Sequence, residues 1–203
     1  MDVDSYQFEI IEKETVYQGF FNLDRYRVRH TLFKGGWSNT IIRELFQRGH
    51  CVAVIPYDPR TDQVVLIQQF RVGAIENSPQ NPWLTEIIAG AIEEGESARE
   101  VAFREAKEEA DCEIEEIMEI GQFYTTPGGS SEKITLYCAK VDASTLGGIH
   151  GLDHEDEDIL ATVVPLDVAL MKLDRGEIQS AIAIIALQWL ALNREKLGRL
   201  WVS

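Results

Sequence analysis

Cysteine is scarce in this 203-residue chain: Cys51, Cys112 and Cys138 are the whole set. The number is odd, the spacings are wide, and none matches the paired spacing of a zinc site. That excludes a disulfide-stapled scaffold and reads as buried free thiols in a reducing compartment. Positive charge is also short, with 19 Lys and Arg against 34 Asp and Glu, a net charge of −15. A protein that neutralises nucleic-acid phosphates needs the opposite balance, so nucleic acid is excluded as a partner. The exception is a local polyanion bound through divalent cations. Long hydrophobic runs are missing: the longest, AIAIIALQWLAL from Ala181 to Leu192, falls short of the ~20 residues of a membrane span. The opening MDVDSYQFEI carries neither the basic nor the apolar segment of an export signal. The expectation is a cytoplasmic protein with no membrane partner.

What is present is ordinary globular composition, 45% apolar and 26% charged, enough for one large domain or a domain with a small appendage. Residues 6–47 read as an antiparallel sheet. Arg25, Arg27 and Arg29 alternate with Tyr26, Val28 and His30, and Gly35-Gly36 supplies a turn. CVAVIPYD and QVVLIQQF flank the turn DPRTD as a core strand pair, and WLTEIIAG reads as one strand ending at Gly90. Ser97 and Glu100 make a capping box for a helix that stops near Asp111. Strands follow in IEEIMEIGQFYTTP, KITLYCAKVD and ILATVVPL, with TTPGGSSE and GLDHEDED as loops. Helices are predicted near Asp167–Asp174 and Ser180–Lys196. The second carries an apolar stripe of Ile182, Ile185, Ala186 and Trp189.

The segment REAKEEADCE, Arg104 to Glu113, raises a question of charge. At i, i+3 and i+4, Glu105, Glu108 and Glu109 share one helix side, where like charges cost roughly 0.2–0.5 kcal/mol per pair. A solvated acidic face is the ordinary reading of such a cluster. The second reading is a cation site: a loop from Gly90 to Gly95 enters the helix and adds Glu93, Glu94 and Glu96. Carboxylates beside backbone carbonyls suit hard divalent cations that bind phosphate oxygens at the same time.

That context argues for the second reading, and the spacing is also a known motif. Gly90, five residues, Glu96, seven residues, then Arg104-Glu105-Ala106-Lys107-Glu108-Glu109 matches the pattern G-x5-E-x7-R-E-U-x-E-E-x-G-U over 23 residues. The segment resembles the Nudix hydrolases. One position departs: Asp111 stands where the pattern has glycine. Asp tolerates a left-handed backbone better than most residues, so the metal carboxylates stay intact. The resemblance implies Glu105 and Glu109 as the main metal ligands, Glu108 assisting directly or through water, and the carbonyl of Ala89 as a further ligand. It implies that Gly90, Glu96 and Arg104 are structural, the last two bracing loop against helix. The implied cofactor is Mg2+, two or three ions per site, with Mn2+ as the alternative. The implied reaction is hydrolysis of a diphosphate joined to another moiety.

Pro127 lies fifteen residues beyond Cys112. On its own, TTPGG is good turn chemistry anywhere. Together with GFFNLDRYRVRHTLF, RELFQRGH, VVLIQQFRV, PWLTEIIAGAIEEGES, IHGLDHEDEDI and AIIALQWL, it resembles the bacterial ADP-ribose pyrophosphatases of the Nudix family, from about residue 15 to 193. That resemblance implies a homodimer with exchanged N-terminal sheets and a nucleoside diphosphate sugar as the small-molecule substrate. The implied reaction is attack of water at the adenosyl phosphorus of ADP-ribose, giving AMP and ribose 5-phosphate. It implies substrate contacts from Arg71, from Arg43 reaching across the dimer, from Phe20 stacking on adenine, and from Glu132. As bare residues the arginines also read as strand-surface arginines, Phe20 as core, and Glu132 as a solvated loop residue. The loop DHEDED matches one that supplies the catalytic base. Glu155 is favoured as that base and Glu157 as a metal or water contact, with the order open and His154 as a third candidate.

The expected architecture is α/β: a Nudix α/β/α sandwich with a mixed sheet (residues 48–203), preceded by a small antiparallel β-domain for dimerisation (1–47). Rival substrates are GDP-mannose and NADH. The rival class is a degenerate Nudix module that binds ADP-ribose without catalysis, against which all three box glutamates argue.

Overall fold

The computed structural model describes residues 6–78 and 80–202. The chain folds as two units. One comprises the described part of Met1–His50 with Tyr124–Lys133, and the other Cys51–Phe123 with the described part of Ile134–Ser203.

The first unit is built on three antiparallel strands, β1 (Phe8–Gln18), β2 (Asn22–His30) and β3 (Ile41–Gln47), in that order. The alternating arginines of β2 meet carboxylates of the neighbouring strands: Arg29 with Glu9 at 2.6 Å, Arg27 with Glu12 at 3.0 Å, Arg25 with Glu44 at 3.3 Å. Asp24 is the buried exception. It accepts from Thr15 Oγ1 at 2.7 Å and Gln47 Nε2 at 2.9 Å, and pairs with Lys13. These donors hold its carboxyl below the ordinary carboxylate range. Gly35 and Gly36 adopt φ +88 and +79 in the turn after β2, a backbone that favours glycine. The loop Thr125–Glu132 is tied to β3 by Phe46 N–H donating to Gly129 O and Ser131 N–H donating to Phe46 O. Several large apolar side chains stay exposed in this unit, among them Phe8, Ile10, Phe33 and Ile42.

The second unit is a sandwich. Its central sheet runs β10 (Gly148–His150), β11 (Ile159–Pro165), β5 (Gln63–Phe70), β4 (His50–Asp58), β9 (Lys133–Lys140), β8 (Glu116–Tyr124). Two short strands, β6 (Trp83–Glu86) and β7 (Ile88–Ala91), pair with β5 and β4 respectively. Side chains of β4 and β5 alternate between two cores. Val52, Val54, Val65 and Ile67 pack with α1 (Ala98–Ala110). Ala53, Ile55, Val64 and Leu66 pack with α2 (Leu166–Asp174) and α3 (Ala181–Trp201) on the other face. Both faces are covered, which explains the near-continuous apolar runs.

Three readings need correction. WLTEIIAG is two strands, because the chain leaves β5 at Glu86 and joins β4 at Ile88. The strand β10, which antiparallel pairing adds beside β11, has too short a pattern to be read from sequence. The buried face of α3 is Ala183, Ala186, Leu187 and Leu190, continued by Leu197 and Trp201. Of the expected stripe, Ala186 is buried and Ile182 and Trp189 only flank the core, while Ile185 is 37% exposed. The segment is apolar all round, so periodicity could not choose a face. The small Ala183 and Ala186 let the helix approach the sheet, and Leu187 and Leu190 each contribute about 1.5–3 kcal/mol of burial. Among the described residues no helix is long and apolar enough to cross a membrane.

Candidate active site

The carboxylates gather on α1, whose position is fixed at both ends. Ser97 Oγ accepts from Glu100 N–H at 3.3 Å, and Glu100 returns the bond by accepting from Ser97 N–H at 2.9 Å. At the other end Asp111 takes the left-handed conformation, φ 48 and ψ 35, and Cys112 N–H donates to Ala106 O at 2.9 Å. Asp111 therefore does what glycine does at that position, at some backbone cost. Val101, Ala102, Ala106 and Ala110 bury one side of the helix, and Glu109 is buried with them.

Glu109 is 2% exposed and accepts a hydrogen bond from Ala89 N–H at 3.0 Å. Burial pushes its carboxyl up to about 8, with Glu105 and Glu157 adding like charge, while Arg71 opposes the shift. Glu105 is pushed up to about 7, again by burial first, with Glu108 and Glu157 adding to it and Arg104 opposing. Gly90 lies directly against Glu105: a Cβ there would stand 1.8 Å from Oε1. Arg104 is the hub. It donates to Glu105 at 2.8 Å, to Glu108 at 3.0 Å, and through Nε to Glu96 at 3.2 Å. Glu96 also accepts from Glu93 N–H at 3.0 Å, and these bonds hold its carboxyl below the ordinary range. The brace between loop and helix is thus formed.

Among the described residues no three acidic, His or Cys side chains converge as a finished metal cage. Arg104 draws Glu105 and Glu108 to itself, while Ala89 holds Glu109. The donor set nonetheless fits a hard divalent cation: three carboxylates on one helix, one of them buried with a single neutral donor, and a glycine that leaves room for the second. Residues that would hold such an ion are Glu105, Glu109 and Glu108; Ala89, the further expected ligand through its carbonyl, meets Glu109 through its N–H.

The loop Gly151–Asp158 is tied to the same helix by Gly151 N–H donating to Glu108 O at 3.3 Å. Glu157 accepts from Leu152 N–H at 3.3 Å and acts electrostatically on Glu105 and Glu109. Glu155 lies beside His154, its carboxylate 3.7 Å from Nε2, with both side chains exposed. Arg71 donates through Nε to Glu86 Oε2 at 2.7 Å. Glu86 is a residue the sequence reading passed over; a lone carboxylate within the apolar WLTEIIAG was the available signal.

The remaining candidates lie in the N-terminal unit. Phe20 is 96% exposed, so the core reading of it fails; its ring makes an edge contact with Phe21. Arg43 is exposed on β3 and donates to Ile42 O at 2.7 Å. Glu132 pairs with Arg48 at 3.2 Å and accepts from Thr125 Oγ1 at 2.8 Å, so it is a bonded loop residue. Pro127 occupies a turn closed by Gly129 N–H and Ser130 N–H on Thr126 O. A cleft of about 400 Å3 in the second unit, lined by Gln68, Trp83, Thr85, Lys172 and Glu177 among others, contains none of the candidate-site carboxylates. Gln68 and Thr85 are paired across β5 and β6, on the sheet face opposite Glu86.

Residues 47–185 match the NUDIX domain family. The chain is 47% identical over 193 residues to the ADP-ribose pyrophosphatase of Escherichia coli (strain K12), covering 95% of this chain and 92% of that one. It is 43% identical over 195 residues to the ADP-ribose pyrophosphatase of Haemophilus influenzae, covering 95% and 90%. To the GDP-mannose pyrophosphatase of Enterobacter sp. (strain 638) it is 34% identical over 153 residues, covering 74% and 78%. A solved structure described as an ADP compounds hydrolase superposes with TM-score 0.68 at 21% identity, covering 96% of each chain, which shows the fold. The chain belongs to the NUDIX domain family.

Proposed function

We propose that this protein hydrolyses ADP-ribose to AMP and ribose 5-phosphate in a reaction that needs magnesium. As a member of this family with these relatives, it is a hydrolase of a pyrophosphate bond. Glu109 carries the reading of the reaction: a carboxylate buried to 2% exposure beside Glu105, with one neutral donor, is stabilised as an anion by a divalent cation. The choice of ADP-ribose rests on the relatives, whose likeness is higher and covers more of the chain for the ADP-ribose pyrophosphatases than for the GDP-mannose enzymes.

When bound, divalent cations compensate the charge of the diphosphate and acidify a water for attack. The chain's own residues do the rest. Glu105, Glu108, Glu109 and the Ala89 carbonyl would hold such ions, two or three in this reading. Arg71 leaves Glu86 to donate to a phosphate oxygen. Glu155 takes the proton of the attacking water, and Glu157, beside the helix pair, holds that water or an ion. Water attacks the adenosyl phosphorus, and as the new P–O bond forms the bond from that phosphorus to the bridging oxygen breaks, the bridging oxygen leaving with ribose 5-phosphate. Phe20 stacks on adenine, Glu132 contacts substrate, and Arg43 reaches it from the second subunit of a homodimer that exchanges N-terminal sheets, the role assigned to residues 1–47. Three buried thiols suit a cytoplasmic enzyme.

The test is product release from ADP-ribose in oxygen-18 water, with magnesium and with EDTA. Labelled AMP formed only with metal supports the proposal. Label in ribose 5-phosphate reverses the site of attack, and no product in either condition points to a module that binds without catalysis. A panel including GDP-mannose and NADH tests the substrate: faster cleavage of either displaces ADP-ribose.

A further inference from the structure

Among the described residues, one buried side-chain polar atom has no hydrogen-bond partner: Nε2 of Gln69. The residue is 8% exposed. A buried donor without an acceptor costs about as much as a hydrogen bond lost, so its presence asks for a cause. Its place on β5 suggests one. Alternation puts Gln69 on the face that carries Ile67 and continues to Arg71. In the ladder with β6, Ile67 stands opposite Glu86 and Gln69 opposite Leu84, so Glu86 lies on that same face, diagonal to Gln69. Glu86 is largely buried and holds the half-exposed Arg71 at 2.7 Å.

We propose that Gln69 is a positioning residue that takes over Glu86 when Arg71 turns to the diphosphate of the substrate. The inference rests on the reading of Arg71 as a substrate contact. In the free protein Arg71 satisfies Glu86, and the Gln69 amide is left over. A phosphate oxygen competes for the guanidinium; as Arg71 withdraws, the buried Glu86 carboxylate loses its donor, which opposes binding. The waiting N–H of Gln69 replaces that donor. Both defects then vanish together, and the cost carried by the unpaired amide in the free state is released on binding.

The experiment compares Gln69→Leu and Gln69→Met with wild type, by thermal melting without substrate and by steady-state kinetics on ADP-ribose. Met supplies an unbranched side chain of similar length in case Leu packs badly. Removing an unpaired buried amide is expected to raise the melting temperature, yet KM should rise about tenfold, with kcat changed far less. A residue that merely packs would show the reverse, a lower melting temperature with KM unchanged, and that result overturns the proposal. Unchanged KM with a raised melting temperature overturns it equally. In a Glu86→Gln background the Gln69 substitutions should add nothing further to KM; a full additional tenfold would mean that Gln69 does not act through Glu86. Arg71→Ala separates the two layers. If it leaves KM unaltered, the reading of Arg71 fails. If it raises KM while both Gln69 variants leave KM alone, the site reading stands and the transfer of Glu86 does not occur.

Discussion

Gly90 and Glu105 occupy one space: a Cβ on Gly90 would stand 1.8 Å from Glu105 Oε1 and 2.0 Å from Cδ. The atoms in conflict are the end of a flexible side chain, so the chain can relieve the clash by moving the carboxylate. Gly90→Ala is therefore expected to fold with a melting temperature near wild type, while losing activity by about a hundredfold through a misplaced ligand. Circular dichroism melts beside a phosphate-release assay check this. Wild-type activity in a folded Gly90→Ala protein would show that the placement of Glu105 is not critical.

Glu109 sets a pH dependence on the metal-free protein. Its carboxyl sits at about 8 and that of Glu105 at about 7, both raised by burial. The folded protein keeps these protons longer than the unfolded chain does. Their contribution to stability is complete below the ordinary carboxylate range and is lost as pH rises through about 8. In EDTA the melting temperature should fall between pH 5 and 8.5 more steeply in wild type than in Glu109→Gln. Magnesium should restore wild type at pH 8.5 and do little for the variant. Glu109→Gln should also lose more than about a thousandfold in kcat. Parallel melting profiles for the two proteins in EDTA would contradict the assignment.

The helix α1 was legible because three signals agree on it: a capping box, a consistent apolar side, and fixed spacings of charge. The pairing of Arg71 with Glu86 was not, since it depends on the register of β5 and β6, which no local pattern encodes. The same holds for the break at Ile87, where the chain exchanges one partner strand for another. The face of α3 failed for a different reason: its first part, Ala181–Leu192, is apolar on nearly every side and has little periodic contrast to read. Gln69 offered a weak signal, as the inward-facing polar residue at the end of VVLIQQF, and only its burial without a partner gives it meaning.

Asp111 holds a left-handed backbone at the end of α1 where glycine would sit without strain. Its side chain pairs with Lys107 at 2.6 Å on the surface, a contact that offsets little. Asp111→Gly should raise the melting temperature by about 2–4 °C and leave kinetics unchanged. A drop in melting temperature would mean that the Lys107 pair outweighs the backbone relief.

The N-terminal unit exposes Phe8, Phe33 and Tyr6 around an apolar groove of about 370 Å3, with Tyr6 and Phe33 in edge contact at 5.2 Å. Such a surface calls for cover, and a second copy of the chain is the proposed one. Phe8→Asp should weaken the dimer by at least about thirtyfold, seen as a shift to monomer in light scattering behind size exclusion. It should also reduce activity at dilutions where the dimer dissociates. An unchanged dimer would place the interface elsewhere, and a monomeric wild type would overturn the proposed dimer.

Two glutamates of the loop Gly151–Asp158 compete for one role, and their surroundings differ. Glu157 acts on Glu105 and Glu109 and is held by Leu152 N–H, whereas Glu155 is exposed beside His154. A base has to reach the attacking water when substrate is bound, so the exposed glutamate has the freedom the task needs, and the held one has the position to steady water or ion. Glu155→Gln should cut kcat by about 10²–10⁴-fold with KM little changed. Glu157→Gln should instead raise the magnesium concentration needed for half-maximal rate, with a smaller loss of kcat at saturation. His154→Ala should behave as wild type. If Glu157→Gln takes the large kcat loss while Glu155→Gln is mild, the two roles are exchanged, and the glutamate already beside the helix carboxylates is the base.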